Sequence, residues 1–94
     1  MKEIRLNGNK MLDKASTHDY LKQKLDLPDY YGENLDALWD LLVTDFSPKK
    51  ITIYRPAVII ENLGPYGEAI INLFQEVVKE NEYIIVEIEG DKGI

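Results

Sequence analysis

Apolar and polar positions alternate at Ile4-Arg5-Leu6, and the pattern stops at Asn7-Gly8-Asn9. This predicts a short first strand and a turn. Ser16 followed by Asp19 marks a helix start. Tyr20, Leu21, Leu25 and Leu27 then form a helical stripe up to Pro28. Asp29-Tyr30-Tyr31-Gly32 reads as a turn, and a second helix is predicted over about residues 34–44. On that helix Leu35, Leu38, Trp39, Leu42 and Phe46 fall within an arc of roughly 100°, a stripe suited to a core. Ser47-Pro48 breaks it, and Ile51-Thr52-Ile53-Tyr54 reads as a strand. Pro56 opens a short helix through Ile60 that ends near Gly64. Pro65 opens a longer helix with Ile70, Leu73, Phe74, Val77 and Val78 on its apolar face. Tyr83-Ile84-Ile85-Val86 is a continuous apolar run, which predicts a strand buried on both faces.

The order β-α-α-β-α-α-β predicts an α/β fold, with a three-stranded parallel sheet packed against helices and right-handed connections. At 94 residues the chain is one domain, long enough to bury a core. Residues 91–94 are expected to form a frayed tail. Without cysteine there is no disulfide, cysteine–zinc site or thiol nucleophile, and a reducing compartment is permitted. The single histidine, His18, excludes a two-histidine metal site within one chain. No apolar run approaches a membrane span, and Met1 to Lys10 contains no signal-like apolar stretch. A cytoplasmic location is the expectation.

The net charge is -6, and its placement matters more than its size. Asp26, Asp29, Glu33, Asp36, Asp40 and Asp45 lie in one segment that contains no lysine or arginine. The rest of the chain holds 11 acids and 11 bases. Such a balance disfavours direct contact with nucleic acid or an anionic membrane, and it favours a cationic partner. A solvated helix face is the alternative.

Asp36 and Asp40 stand one turn apart on the same side of the second helix, with Glu33 beside them. Their repulsion costs a few tenths of a kcal/mol, and no base at i+3 or i+4 relieves it. That local conflict is of the kind expected at a functional site, and an exposed like-charge pair tolerated at little cost is the alternative. The adjacent Tyr30 and Tyr31 cannot both turn inward easily, and an exposed tyrosine suits an interface. Gly32 permits a close backbone approach or a positive φ. Asn34 is a helix cap or an interface amide. Trp39 sits at the edge of the stripe, where it serves core or interface.

The run Leu27-Pro28-Asp29-Tyr30-Tyr31-Gly32-Glu33-Asn34-Leu35-Asp36-Ala37-Leu38-Trp39-Asp40 closely resembles the segment that identifies the barstar family of intracellular ribonuclease inhibitors. The resemblance extends to the opening strand, to Leu21-Lys22 with Leu25, and to Leu73-Phe74 with Glu76. It implies no catalysis and no cofactor. It implies 1:1 binding to a small secreted ribonuclease, whose basic cleft the acidic helix and preceding turn would fill in place of RNA phosphates. By position, Asp40 would enter the phosphate site and Asp36 would be a further acidic contact. Tyr30, Tyr31, Gly32, Asn34 and Trp39 would form the interface turn and helix face, with Glu76 as an outlying acidic contact.

One stretch departs from the resemblance. Val43-Thr44-Asp45-Phe46 stands where a family member has Thr-Gly-Trp-Val, so Val43 replaces a hydroxyl and Asp45 an interface aromatic. A diverged toxin, or a partner that is not a nuclease, is the alternative target. A second alternative is an enzyme using Asp36, Asp40 and Glu76 as ligands for Mg²⁺ or Ca²⁺, or as an acid–base pair. No glycine-rich phosphate loop accompanies them, and Gly64-Pro65-Tyr66-Gly67 is only a turn signal.

Overall fold

The computed structural model describes residues 1–90, so the expected tail at 91–94 lies outside the described residues. The elements are β1 (Lys2–Asn7), a 3-10 turn (Gly8–Lys10), α1 (Lys14–Lys24), α2 (Leu35–Val43), β2 (Lys49–Tyr54), α3 (Pro56–Leu63), α4 (Pro65–Glu80) and β3 (Ile84–Ile88). The sheet order is β1-β2-β3, and both pairings are parallel. The α/β architecture read from the sequence is the one observed.

Register explains the core. Ile4, Ile51 and Val86 pair in one row, and Leu6, Ile53 and Ile88 in the next. These residues face the helices, where Met11, Leu21, Leu38, Leu42, Ile59, Ile70, Phe74 and Val77 close the interior. The opposite face of the sheet is mostly polar, with Ile85 as an exposed apolar exception. Glu3, Arg5 and Glu87 are exposed there, and Lys50 meets Glu87 at 3.3 Å. The expectation of a last strand buried on both faces is therefore corrected. Among the described residues β3 pairs only with β2, and Tyr83 and Ile85 are both exposed. Helices cover a single face of this sheet, so residue type alone misjudged the strand.

Local chemistry sets the element ends. Asp13, not Ser16, caps α1: its Oδ1 accepts from the Ser16 N–H, while Ser16 Oγ accepts from the Asp13 N–H. This reciprocal box corrects the expected start and places Ser16 one turn inside. At the other end the Leu27 N–H donates to the Lys22 carbonyl and the Asp26 N–H to that of Gln23. That is a Schellman closure, with Asp26 at φ 53° where glycine is usual. α3 runs three residues past Ile60, and Gly64 closes it and opens α4.

Gly67 is the contact point between α3 and α4. A Cβ there would stand 2.5 Å from the Ile59 carbonyl oxygen, a backbone atom that cannot swing aside. Gly67→Ala is expected to destabilise the fold by about 1–3 kcal/mol. Urea denaturation checks this, and a loss well below that range would show that the helices part freely.

Candidate partner-binding site

The segment between α1 and α2 is a turn anchored from beneath. The Tyr31 N–H donates to the Pro28 carbonyl at 2.9 Å, which puts Asp29 and Tyr30 at the tip. Tyr30 is 80% exposed, whereas Tyr31 is 5% exposed. The two tyrosines thus divide as their adjacency requires. Tyr30 presents its ring to solvent, and Tyr31 braces the turn from inside.

The Tyr31 hydroxyl lies 2.6 Å from His18 Nδ1, and the Tyr66 hydroxyl lies 2.6 Å from His18 Nε2. One buried imidazole therefore ties the turn to α1 and α4. A neutral ring donates from one nitrogen and accepts at the other, so it serves both hydroxyls. Lys14 Nζ lies 4.5 Å from the centre of the Tyr66 ring and covers its face. Burial holds His18 below its ordinary pKa, against the opposing charge of Asp19. Burial raises the Tyr31 hydroxyl, aided by Tyr66 and Glu33, and burial also raises Tyr66.

A histidine with a lowered folded pKa binds fewer protons than the unfolded chain does near its ordinary value. Its contribution to stability is therefore complete above about pH 6.5 and is lost as pH falls through the folded value. Urea melts at pH 7.5 and pH 5 are expected to show this loss. The change between the two should shrink in His18→Gln, and an unchanged difference would assign it to other groups.

Gly32 lies exposed against the start of α2. A Cβ on it would approach Asn34 Nδ2 at 3.3 Å and Ala37 Cβ at 3.4 Å. The left-handed backbone of the turn belongs to Glu33, at φ 53°, and not to Gly32. This corrects one of the two roles read for Gly32 and leaves close approach as the other. Asn34 caps α2: its Oδ1 accepts from the Ala37 N–H at 2.8 Å, and its Nδ2 donates to the Gly32 carbonyl at 3.2 Å. The cap therefore fixes both the helix start and the turn before it.

On α2, Leu38 and Leu42 are buried, while Leu35, Trp39 and Val43 are half-buried against the core. Asp36 and Asp40 are exposed on the outer side. Among the described residues no lysine or arginine pairs with Glu33, Asp36 or Asp40. Asp36, in the first turn, is favoured by the helix dipole, and Asp40 is beyond most of that benefit. Phe46 does not join the core stripe. The helix ends at Val43, so helical periodicity no longer applies three residues later, and Phe46 is 65% exposed.

Asp45 is turned to an internal use. Its carboxylate accepts from Lys49 Nζ, from Ser47 Oγ and from the Ser47 N–H. Burial pushes its pKa up, but these hydrogen bonds and the Lys49 charge outweigh that and hold it below the ordinary value. Glu76, on the outer side of α4, is exposed and pairs with Lys79 at 3.1 Å. Because both side chains are more than half exposed, that pair contributes little. α2 packs on α4, which brings the helix of Glu76 alongside the acidic helix.

His18 and Tyr66 escaped sequence reading as supports of this site. A lone histidine in the buried stripe of α1 was the available signal. Among the described residues no three or more histidine or carboxylate side chains gather where they could hold a metal ion. No described helix is long and apolar enough to cross a membrane.

Two comparisons bear on this geometry. Residues 1–89 match the family model described as Barstar (barnase inhibitor). The chain is also 39% identical over 82 residues to a Bacillus subtilis (strain 168) protein named "Putative ribonuclease inhibitor YrdF". That match spans 85% of this chain and 89% of the relative. Both descriptions are those of inhibitors and not of enzymes. The pattern of strands and helices, the capped acidic helix and the match over residues 1–89 agree, and the chain belongs to the barstar family.

Proposed function

We propose that this protein inhibits a small secreted ribonuclease, one inhibitor per enzyme, inside the cell that makes both. α2 and the turn before it would fill the basic active-site cleft and keep the enzyme inactive until export. The observation that carries this reading is the stacked pair Asp36 and Asp40, exposed and without a basic partner among the described residues. A ribonuclease cleft has to attract phosphates with lysine, arginine or histidine, so carboxylates on a preformed helix complement it. Tyr30, Gly32, Asn34, Trp39 and Val43 would surround those acids, with Glu76 further out. Tyr31 would support the turn, and Asp45 would contribute through the backbone it holds in place.

The test is an inhibition assay against a small guanyl-specific ribonuclease encoded by the same organism, at two salt concentrations. Stoichiometric inhibition that weakens with salt is the expected result. No inhibition at low salt would overturn it. The stretch Val43 to Phe46 favours one second reading, a diverged toxin with a basic cleft. There the exposed aromatic is Phe46, and the carboxylate of Asp45 is taken by Lys49.

A further inference from the structure

The turn before α2 is held to the rest of the molecule mainly through one side chain. The Tyr31 N–H bonds within the turn, to the Pro28 carbonyl. Lys22 reaches Asp29 at 3.9 Å, a solvent-facing pair that contributes little. The Tyr31 side chain is buried, and its hydroxyl lies 2.6 Å from His18 Nδ1. The other nitrogen of that ring lies 2.6 Å from the hydroxyl of Tyr66, 48 residues further along the chain. In the sequence Tyr66 belongs to a bare turn signal, Gly64 to Gly67, and the inhibitor reading gives it no task.

Tyr66 stands on a firm base. It lies in the first turn of α4, just after Gly64 and Pro65. Its neighbour Gly67 packs so closely on α3 that an added Cβ would stand 2.5 Å from the Ile59 carbonyl oxygen. The start of α4 therefore cannot shift without parting from α3. Lys14 Nζ sits 4.5 Å from the centre of the Tyr66 ring and covers it. The imidazole of His18 is clamped between the two tyrosines, at ring-centre distances of 5.7 Å to Tyr31 and 5.9 Å to Tyr66.

His18 is 2% exposed, so its ring nitrogens depend on these two hydroxyls. In one neutral tautomer the Tyr31 hydroxyl donates to Nδ1 and Nε2–H donates to Tyr66. In the other tautomer both directions reverse. Either way each nitrogen is satisfied only while both hydroxyls are present. Without the Tyr66 hydroxyl, Nε2 is left buried and unmatched. Turning the ring to bring Nε2 to water carries Nδ1 away from Tyr31, and the turn loses its tie.

We infer that Tyr66 is a positioning residue for partner binding. Through His18 it holds Tyr31, and so keeps the turn that carries Asp29, Tyr30 and Gly32 in the form the partner meets. A turn already in its bound form spares the ordering entropy of binding. The inference rests on the inhibitor reading above and gives part of the affinity to a hydroxyl behind the binding face.

The first measurement uses the free chain. Tyr66→Phe is expected to speed hydrogen exchange of the Tyr31 N–H about tenfold, through local opening of the turn. The Asn7 N–H, held by the Tyr20 hydroxyl at 2.9 Å, should stay within about twofold. Equal acceleration at both amides would mean general loosening and would overturn the inference. The second measurement is the affinity for a small secreted guanyl-specific ribonuclease from the same organism. Tyr66→Phe and Tyr31→Phe should each weaken binding about fivefold or more, and the double variant should be within about twofold of the weaker single one, since both break the same link. Tyr20→Phe also removes a hydrogen-bonding hydroxyl, but one remote from the turn, and should bind as wild type does. Additive losses, or an equal loss in Tyr20→Phe, would reduce Tyr66 to a general stabiliser and overturn the inference. Wild-type affinity in Tyr66→Phe, while Asp40→Ala weakens binding, would overturn it and leave the inhibitor reading standing. A wild-type chain that does not bind the ribonuclease would overturn the inhibitor reading, and with it the role of Tyr66 in binding.

Discussion

Asp40→Ala is expected to weaken ribonuclease binding by about 2–5 kcal/mol, the loss that follows when one member of a buried interfacial charge pair is removed. Much of that loss is the cost of leaving the partner's cations desolvated and unmatched. Asp40→Asn should lose nearly as much, because the charge and not the shape does the work. The free protein should respond in the opposite sense. Asp40 is exposed, lacks a base among the described residues and repels Asp36 one turn away, so its removal should stabilise α2 by a few tenths of a kcal/mol. Inhibition constants at low salt, set beside urea melts of the free variant, measure both effects. An affinity loss below about tenfold, or a less stable variant, would remove Asp40 from the centre of the interface.

Asp45→Ala should act on the fold instead. Lys49 is 5% exposed, and the partly exposed Asp45 is its partner in the α2–β2 connection. Removing the carboxylate leaves a buried ammonium uncompensated, an expected loss of about 3–5 kcal/mol. For a domain this small that is a large share of the total stability. The Asp45→Ala, Lys49→Met double variant should recover most of it, since no buried charge is left. Urea denaturation of both variants checks the argument, and a single-variant loss below about 1 kcal/mol would mean that water reaches Lys49. The same pair carries a pH signature. Asp45 has its pKa held below the ordinary 3.8, so its contribution is complete above that value and is lost as pH falls through the folded value.

Much of this was legible in the chain. Alternation at Ile4 and Leu6, the proline-led helices at Pro56 and Pro65 and the acidic run around Asp36 and Asp40 are local signals, and each marks what the structure contains. Features that depend on distant neighbours were not legible. Ile85 reads as buried by type, yet its register beside Lys50 puts it on the sheet face that the helices leave open, while Ile84 next to it is buried. Phe46 fits a helical stripe on paper, and only the end of α2 at Val43 removes it. Asp45 looked like added charge on the rim until β2 brought Lys49 to it. The support under Tyr31 needs His18 and Tyr66, which come from different helices.

The strand order bears also on how the molecule assembles. Lys2 pairs with Lys49, and Lys49 in turn with Ile84, so neither neighbouring pair can form as a hairpin. Closing either long loop costs chain entropy before any ladder bond repays it, and such high contact order slows folding. The most local tertiary contact is α3 on α4, two helices that share Gly64 as their common cap. That helical pair is expected to form first, with the central strand recruiting its neighbours afterwards. α2 lies within the longer of the two closures. Its Trp39, the single tryptophan, should therefore report by its emission a late step in which α2 takes its place.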